Sequence, residues 1–146
     1  MPPGATSLFD RVRPATELGY DAVEQGRDIM MKLAIDEVAA DLRAAVAAVG
    51  TAGRVGAVGY CWGGAIADLA ACRTSVSAAV SYYGRANVAW LDEQPRCPVM
   101  YHFGALDPLI PPEVVSQISA ARPGQAVHVY PEAGHGFNCD ERPEYH

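Results

Sequence analysis

The sequence predicts an α/β fold, a mostly parallel sheet with helices on both faces, and three observations carry that prediction. Short apolar runs bounded by glycine, proline or polar turns recur as RVGAVGY (54–60), VSAAVSYYG (76–84), CPVMYHFG (97–104) and AVHVYPEAG (126–134). Segments of helical character separate them, and strands that alternate with helices pair in parallel because the crossover needs the helix. Half of the 146 residues are hydrophobic, enough for the core of one domain and too few for two.

Each element follows from local pattern. Residues 1–26 carry Pro2, Pro3, Gly4, Pro14 and Gly19 without periodicity and read as an irregular lead-in to the single domain 1–146. From about Arg27 to Val49 the apolar residues Leu33, Val38, Leu42, Val46 and Val49 recur at helical spacing with acids between them, which predicts one amphipathic helix ended near Gly50. RVGAVGY has the composition of a buried strand, and AIADLAACR (65–73) follows as a helix. After the second strand a polar loop runs from Asn87 to Gln94. The third strand ends at the turn before Asp107. Pro111 and Pro112 open a helix over about 113–121, and Pro123-Gly124 closes it. The last strand runs into the glycine turn before His135. Four strands leave RVGAVGY at an edge, so self-association through that exposed sheet edge is expected.

The formal net charge of −6 comes from acids scattered along the chain, which offers no basic stripe to follow a phosphate backbone. No nucleic-acid partner is expected. No apolar run is long enough for a membrane span and no signal-type start is present, so the expectation is a cytoplasmic protein. Cys61, Cys72, Cys97 and Cys139 lack C-x-x-C or zinc-type spacing and read as free thiols, with no metal expected.

Gly59-Tyr60-Cys61-Trp62-Gly63 is the G-x-S-x-G nucleophile elbow with sulfur in place of the hydroxyl oxygen. A sharp strand-to-helix turn strains the nucleophile's backbone, and small residues two before and two after it let backbones approach, a need that Gly59 and Gly63 meet. The helix that follows directs its N-terminal dipole at the sulfur and offers the Trp62 backbone N–H as an oxyanion donor. Asp107, just after a strand, is placed to orient a histidine; the alternative is that it caps the turn before Pro108. His135 sits between glycines on a loop suited to a general base, and the chain order nucleophile, acid, histidine is the one this kind of elbow uses. His102 and His128 lie inside strands and read as side chains bonded to neighbours. Cys139, four residues after His135, stands within reach of the same region.

The GYCWGG elbow, the YYG after the next strand, the GALDPLIP segment and the AGHGF loop together resemble the dienelactone hydrolase family. The resemblance runs from about the amphipathic helix to Phe137. It implies a partial α/β-hydrolase fold and a Cys61-Asp107-His135 triad that cleaves a small-molecule ester or enol-lactone, the carboxymethylenebutenolidase class of reaction, with no cofactor. It also implies a substrate contact at Tyr83, from the match of Tyr82 and Tyr83 to the family's paired tyrosines; the alternative for both is a structural role at a strand end. It further implies segments before residue 1 and beyond residue 146, the former holding a second oxyanion N–H and a glutamate that interacts with the thiol. The alternatives from other classes are a catalytically incompetent fragment, a non-catalytic binding module, and a thiol redox sensor centred on Cys61 for which no resolving cysteine stands out.

Overall fold

The computed structural model describes residues 7–19 and 21–146, so Pro2, Pro3 and Gly4 of the expected lead-in lie outside the described residues. Its core is a four-stranded, all-parallel sheet of β1 (Gly56–Tyr60), β2 (Ala78–Tyr82), β3 (Val99–Gly104) and β4 (Ala126–Tyr130), in the order β1-β2-β3-β4. The helices are α1 (Val23–Met30), α2 (Ile35–Val49), α3 (Trp62–Arg73) and α4 (Pro112–Ala121). The α/β architecture with a parallel sheet is the one expected. Among the described residues no helix is long and apolar enough to cross a membrane.

Strand alternation decides which side is core. Val99, Tyr101 and Phe103 are almost fully buried on one face of β3, together with Ile118 of α4 and Ala70 and Ala71 of α3. Beneath that face Asp68 of α3 collects Tyr101 Oη, Trp90 Nε1–H at 2.8 Å and Arg122 Nη2–H at 3.0 Å, all of them buried. Arg122 also donates to the carbonyls of Leu91 and Glu93, so one ion pair holds the loop after β2 and the end of α4 against α3. The second face carries a row of rings across all four strands. Tyr60, Tyr82, His102 and His128 are register neighbours with successive centroids 5.1, 4.6 and 5.1 Å apart. Phe137 packs on the Tyr82 and Tyr130 rings from the tail that follows β4.

Three local readings change. The helix expected over 27–49 is two helices: α1 starts earlier, and Lys32 and Leu33 donate to carbonyls three residues back before Ala34 turns extended. Asp36 and Glu37 in the first turn of α2 favour that restart, since acids stabilise a helix N-terminus. The polar loop 87–94 contains a 3-10 turn, Ala86–Trp90, whose Asn87 and Trp90 are buried. Leu8–Arg11 of the lead-in also form a 3-10 turn, held by an Arg11–Asp41 pair at 2.6 and 2.8 Å and by Phe9 stacked on Trp62.

Candidate active site

The carboxyl ends of parallel strands are where loops can converge without breaking the sheet, and the expected site residues all leave from there. Cys61 follows β1 directly and is the N-cap of α3, with φ 54° and ψ −121°. A non-glycine residue with positive φ is strained, and here the turn is held by the Cys61 N–H bond to the Tyr82 carbonyl at 3.0 Å. A Cβ on Gly59 would stand 1.8 Å from the Gly63 carbonyl oxygen, so only glycine fits there. Gly63 itself has open space. The close approach expected of it belongs to Gly64, whose Cβ would meet the Tyr82 carbonyl at 2.4 Å, because α3 rotates its second glycine rather than its first against β2.

Asp107 leaves the end of β3 and is buried to 4 % exposure, and His135 leaves the turn after β4. Backbone bonds from Ala105 N–H to Tyr130 O and Leu106 N–H to Ala133 O tie these two loops together, each at 2.9 Å. As a result His135 Nδ1 lies 2.7 Å from Asp107 Oδ2, and His135 Nε2 lies 3.2 Å from Cys61 Sγ. An ionised carboxylate only accepts, so Nδ1 carries the proton and Nε2 faces the thiol. Asp107 also caps its turn: Oδ1 accepts the Leu109 N–H at 2.8 Å. The two readings of this aspartate hold at once, on separate oxygens.

Electrostatics follow the geometry. Burial opposes ionisation of Cys61, but the His135 hydrogen bond and charge, the Trp62 backbone N–H and Arg142 outweigh it and hold the thiol below its ordinary pKa. Burial likewise opposes charge on His135, yet Cys61 and Asp107 raise its pKa. The Trp62 N–H, expected to face a developing oxyanion, is among the groups that favour the Cys61 thiolate.

A cavity of about 470 Å³ opens over this group, lined by Cys61, Tyr83 and His135 and also by Val23, Arg27, Leu109, Cys139 and Arg142. Tyr83, at φ 40°, is nearly buried with its ring 5.1 Å from that of His135 and lines the cavity, while Tyr82 stacks on His102 and does not line it. β2 ends at Tyr82, and the positive φ of Tyr83 turns the chain there, so the two adjacent tyrosines have different surroundings. Arg27 and Val23 escaped the sequence reading because the helix that carries them starts inside what reads as lead-in. Among the described residues no group of three or more His, Cys, Asp or Glu side chains converges as a metal requires.

Comparison with known proteins places this arrangement in context. The model of the dienelactone hydrolase family matches residues 16–146. A "Putative carboxymethylenebutenolidase" of Synechocystis sp. is 31% identical over 162 aligned positions, covering 97% of this chain and 66% of that protein. The carboxymethylenebutenolidase of Pseudomonas putida is 40% identical over 90 residues, covering 58% of this chain and 38% of that one. Among solved structures, the crystal structure of a "Putative Dienelactone Hydrolase" from Klebsiella pneumoniae superposes with a TM-score of 0.76 at 29% identity, over 95% of this chain and 65% of that one. The chain therefore spans between about two fifths and two thirds of the length of these relatives. With the match running from the lead-in to the last residue, the chain belongs to the dienelactone hydrolase family.

Proposed function

We propose that this chain carries the reacting centre of an ester or lactone hydrolase of the carboxymethylenebutenolidase class, with Cys61 as nucleophile, His135 as acid and base, and Asp107 as the group that orients His135. The observation that carries this reading is the continuous contact from Asp107 Oδ2 through His135 to Cys61 Sγ, at 2.7 and 3.2 Å. The thiolate attacks the acyl carbon, and the Trp62 N–H at the start of α3 receives the developing oxyanion. Imidazolium His135 protonates the leaving alkoxide or enolate. Neutral His135 then takes a proton from water, which hydrolyses the thioester and restores the thiol.

The cavity supports a small substrate that bears a carboxylate. Arg27 and Arg142 line it, and neither guanidinium has an ion-pair partner among the described residues, although Asp140 shares the lining. Tyr83 offers its hydroxyl to the same space as a substrate contact. The terminal place of β1 in the strand order supports self-association of this chain along that strand.

The test is selective alkylation alongside ester turnover. Iodoacetamide is expected to modify Cys61 ahead of Cys72, Cys97 and Cys139, and Cys61→Ala to abolish hydrolysis of a chromogenic ester. Equal labelling of all four thiols together with no turnover in the protein would sink the proposal.

A further inference from the structure

Cys139 has no part in the hydrolysis described above, yet it stands in the same cavity as Cys61. Its position is set by the turn that follows His135: the Cys139 N–H bonds the Gly136 carbonyl at 3.0 Å, and Gly136 takes a positive φ of 83°. The whole segment after β4 is built of turns, with no strand or helix to hold the thiol in place. Tyr83 lines the same cavity as both cysteines. The other two thiols differ. Cys72 is buried in α3, which drives its pKa to about 12, and burial also raises Cys97; neither lines the cavity.

We propose that Cys139 is the resolving thiol for Cys61: a small hydroperoxide that enters the cavity oxidises Cys61, and Cys139 closes a Cys61–Cys139 disulfide that switches the site off reversibly. The inference rests on the reactivity assigned to Cys61 under the proposed function, and it makes Cys139 a redox partner that the hydrolytic reading leaves idle. In the first step the Cys61 thiolate attacks a peroxide oxygen, the O–O bond breaks, and the departing alkoxide or hydroxide takes a proton from imidazolium His135. Sulfur loses two electrons and the peroxide gains them, giving a sulfenic acid and an alcohol or water. In the second step the Cys139 sulfur attacks the Cys61 sulfur, the S–O bond breaks, and water leaves with the proton that Cys139 gives up. Two thiols and one hydroperoxide thus become one disulfide, one alcohol and one water. The disulfide draws the Cys61 sulfur away from His135 and protects it from irreversible oxidation.

The experiment exposes the protein to hydrogen peroxide, traps remaining thiols with iodoacetamide and maps peptides by mass. The expected result is a loss of two hydrogen masses, a cross-linked peptide joining Cys61 to Cys139, and Cys61 labelling that disappears and returns with dithiothreitol. In Cys139→Ser, Cys61 should instead gain two oxygens, and its labelling should not return. Cys97→Ser should form the disulfide as the parent does, which separates a specific partner from general thiol chemistry. A Cys61 that stays reduced, a disulfide to Cys72 or Cys97, or equal sulfinic acid yields with and without Cys139 would overturn the proposal. Every readout is a mass or a label. Failure here leaves the hydrolase reading standing, and absence of ester turnover leaves this test intact.

Discussion

Asp107 divides its carboxylate between two tasks, with Oδ2 on His135 Nδ1 at 2.7 Å and Oδ1 on the Leu109 N–H at 2.8 Å. Asp107→Asn keeps the turn cap through its amide oxygen but can present an N–H to His135, which favours the wrong tautomer. Turnover is expected to fall on the order of 10⁴-fold with KM little changed, as loss of an orienting carboxylate does elsewhere. Steady-state kinetics at saturating and limiting ester would separate the two parameters, and a large rise in KM alone would contradict the assigned role.

The opposing shifts on Cys61 and His135 set a pH signature. Thiolate appears as pH rises through the Cys61 pKa, which is lowered, so the midpoint of the alkylation rate should fall below that of an ordinary thiol. Imidazolium disappears as pH rises through the His135 pKa, which is raised, so the alkaline limit of turnover moves upward. The two shifts together widen the range in which thiolate and imidazolium coexist. His135→Asn should return the alkylation midpoint toward the ordinary thiol; stopped-flow alkylation over pH measures it directly.

The elbow glycines should separate sharply. Gly59→Ala places a methyl against the Gly63 carbonyl, a backbone contact with no side chain to give way, and should cost at least the 1–3 kcal/mol, roughly, of an overpacked core. Gly63→Ala meets open space inside a helix, where alanine is favoured over glycine by about 0.5–1 kcal/mol. Urea unfolding of the pair would reveal opposite signs.

Asp68 and Arg122 form an ion pair with both side chains at 0% exposure. Asp68→Ala strands the guanidinium in the core and should destabilise the fold by about 3–5 kcal/mol, the usual cost of breaking a buried pair from one side. Thermal melting checks the size. A loss below about 1 kcal/mol would place the pair among ordinary exposed bridges.

Val58→Lys on the open edge strand should reduce self-association, since a charge on an edge disfavours pairing with another strand. Sedimentation velocity over a range of concentrations would report it. A parent chain that stays monomeric throughout would remove the effect.

Much of the fold is legible from the chain because its signals are short-range. The bounds of β1 to β4 fall inside the apolar runs at 54–60, 76–84, 97–104 and 126–134, where valine content and flanking turns act locally. The break between α1 and α2 has no glycine or proline to mark it; only Asp36 and Glu37, acids placed where a new helix N-terminus favours them, carry the signal.

By itself, the sequence determined the alternation of strands and helices, the elbow around Cys61 and the order in which Asp107 and His135 follow it, all properties of neighbours along the chain. Only the tertiary structure decided that Gly64 rather than Gly63 takes the close contact, and that Arg27, Arg142 and Cys139 join one cavity with Cys61. The reason is physical: pattern and propensity act over a few residues, whereas Cys61 and Cys139 come to share a cavity because strand pairing and loop-to-loop hydrogen bonds fold the chain between them.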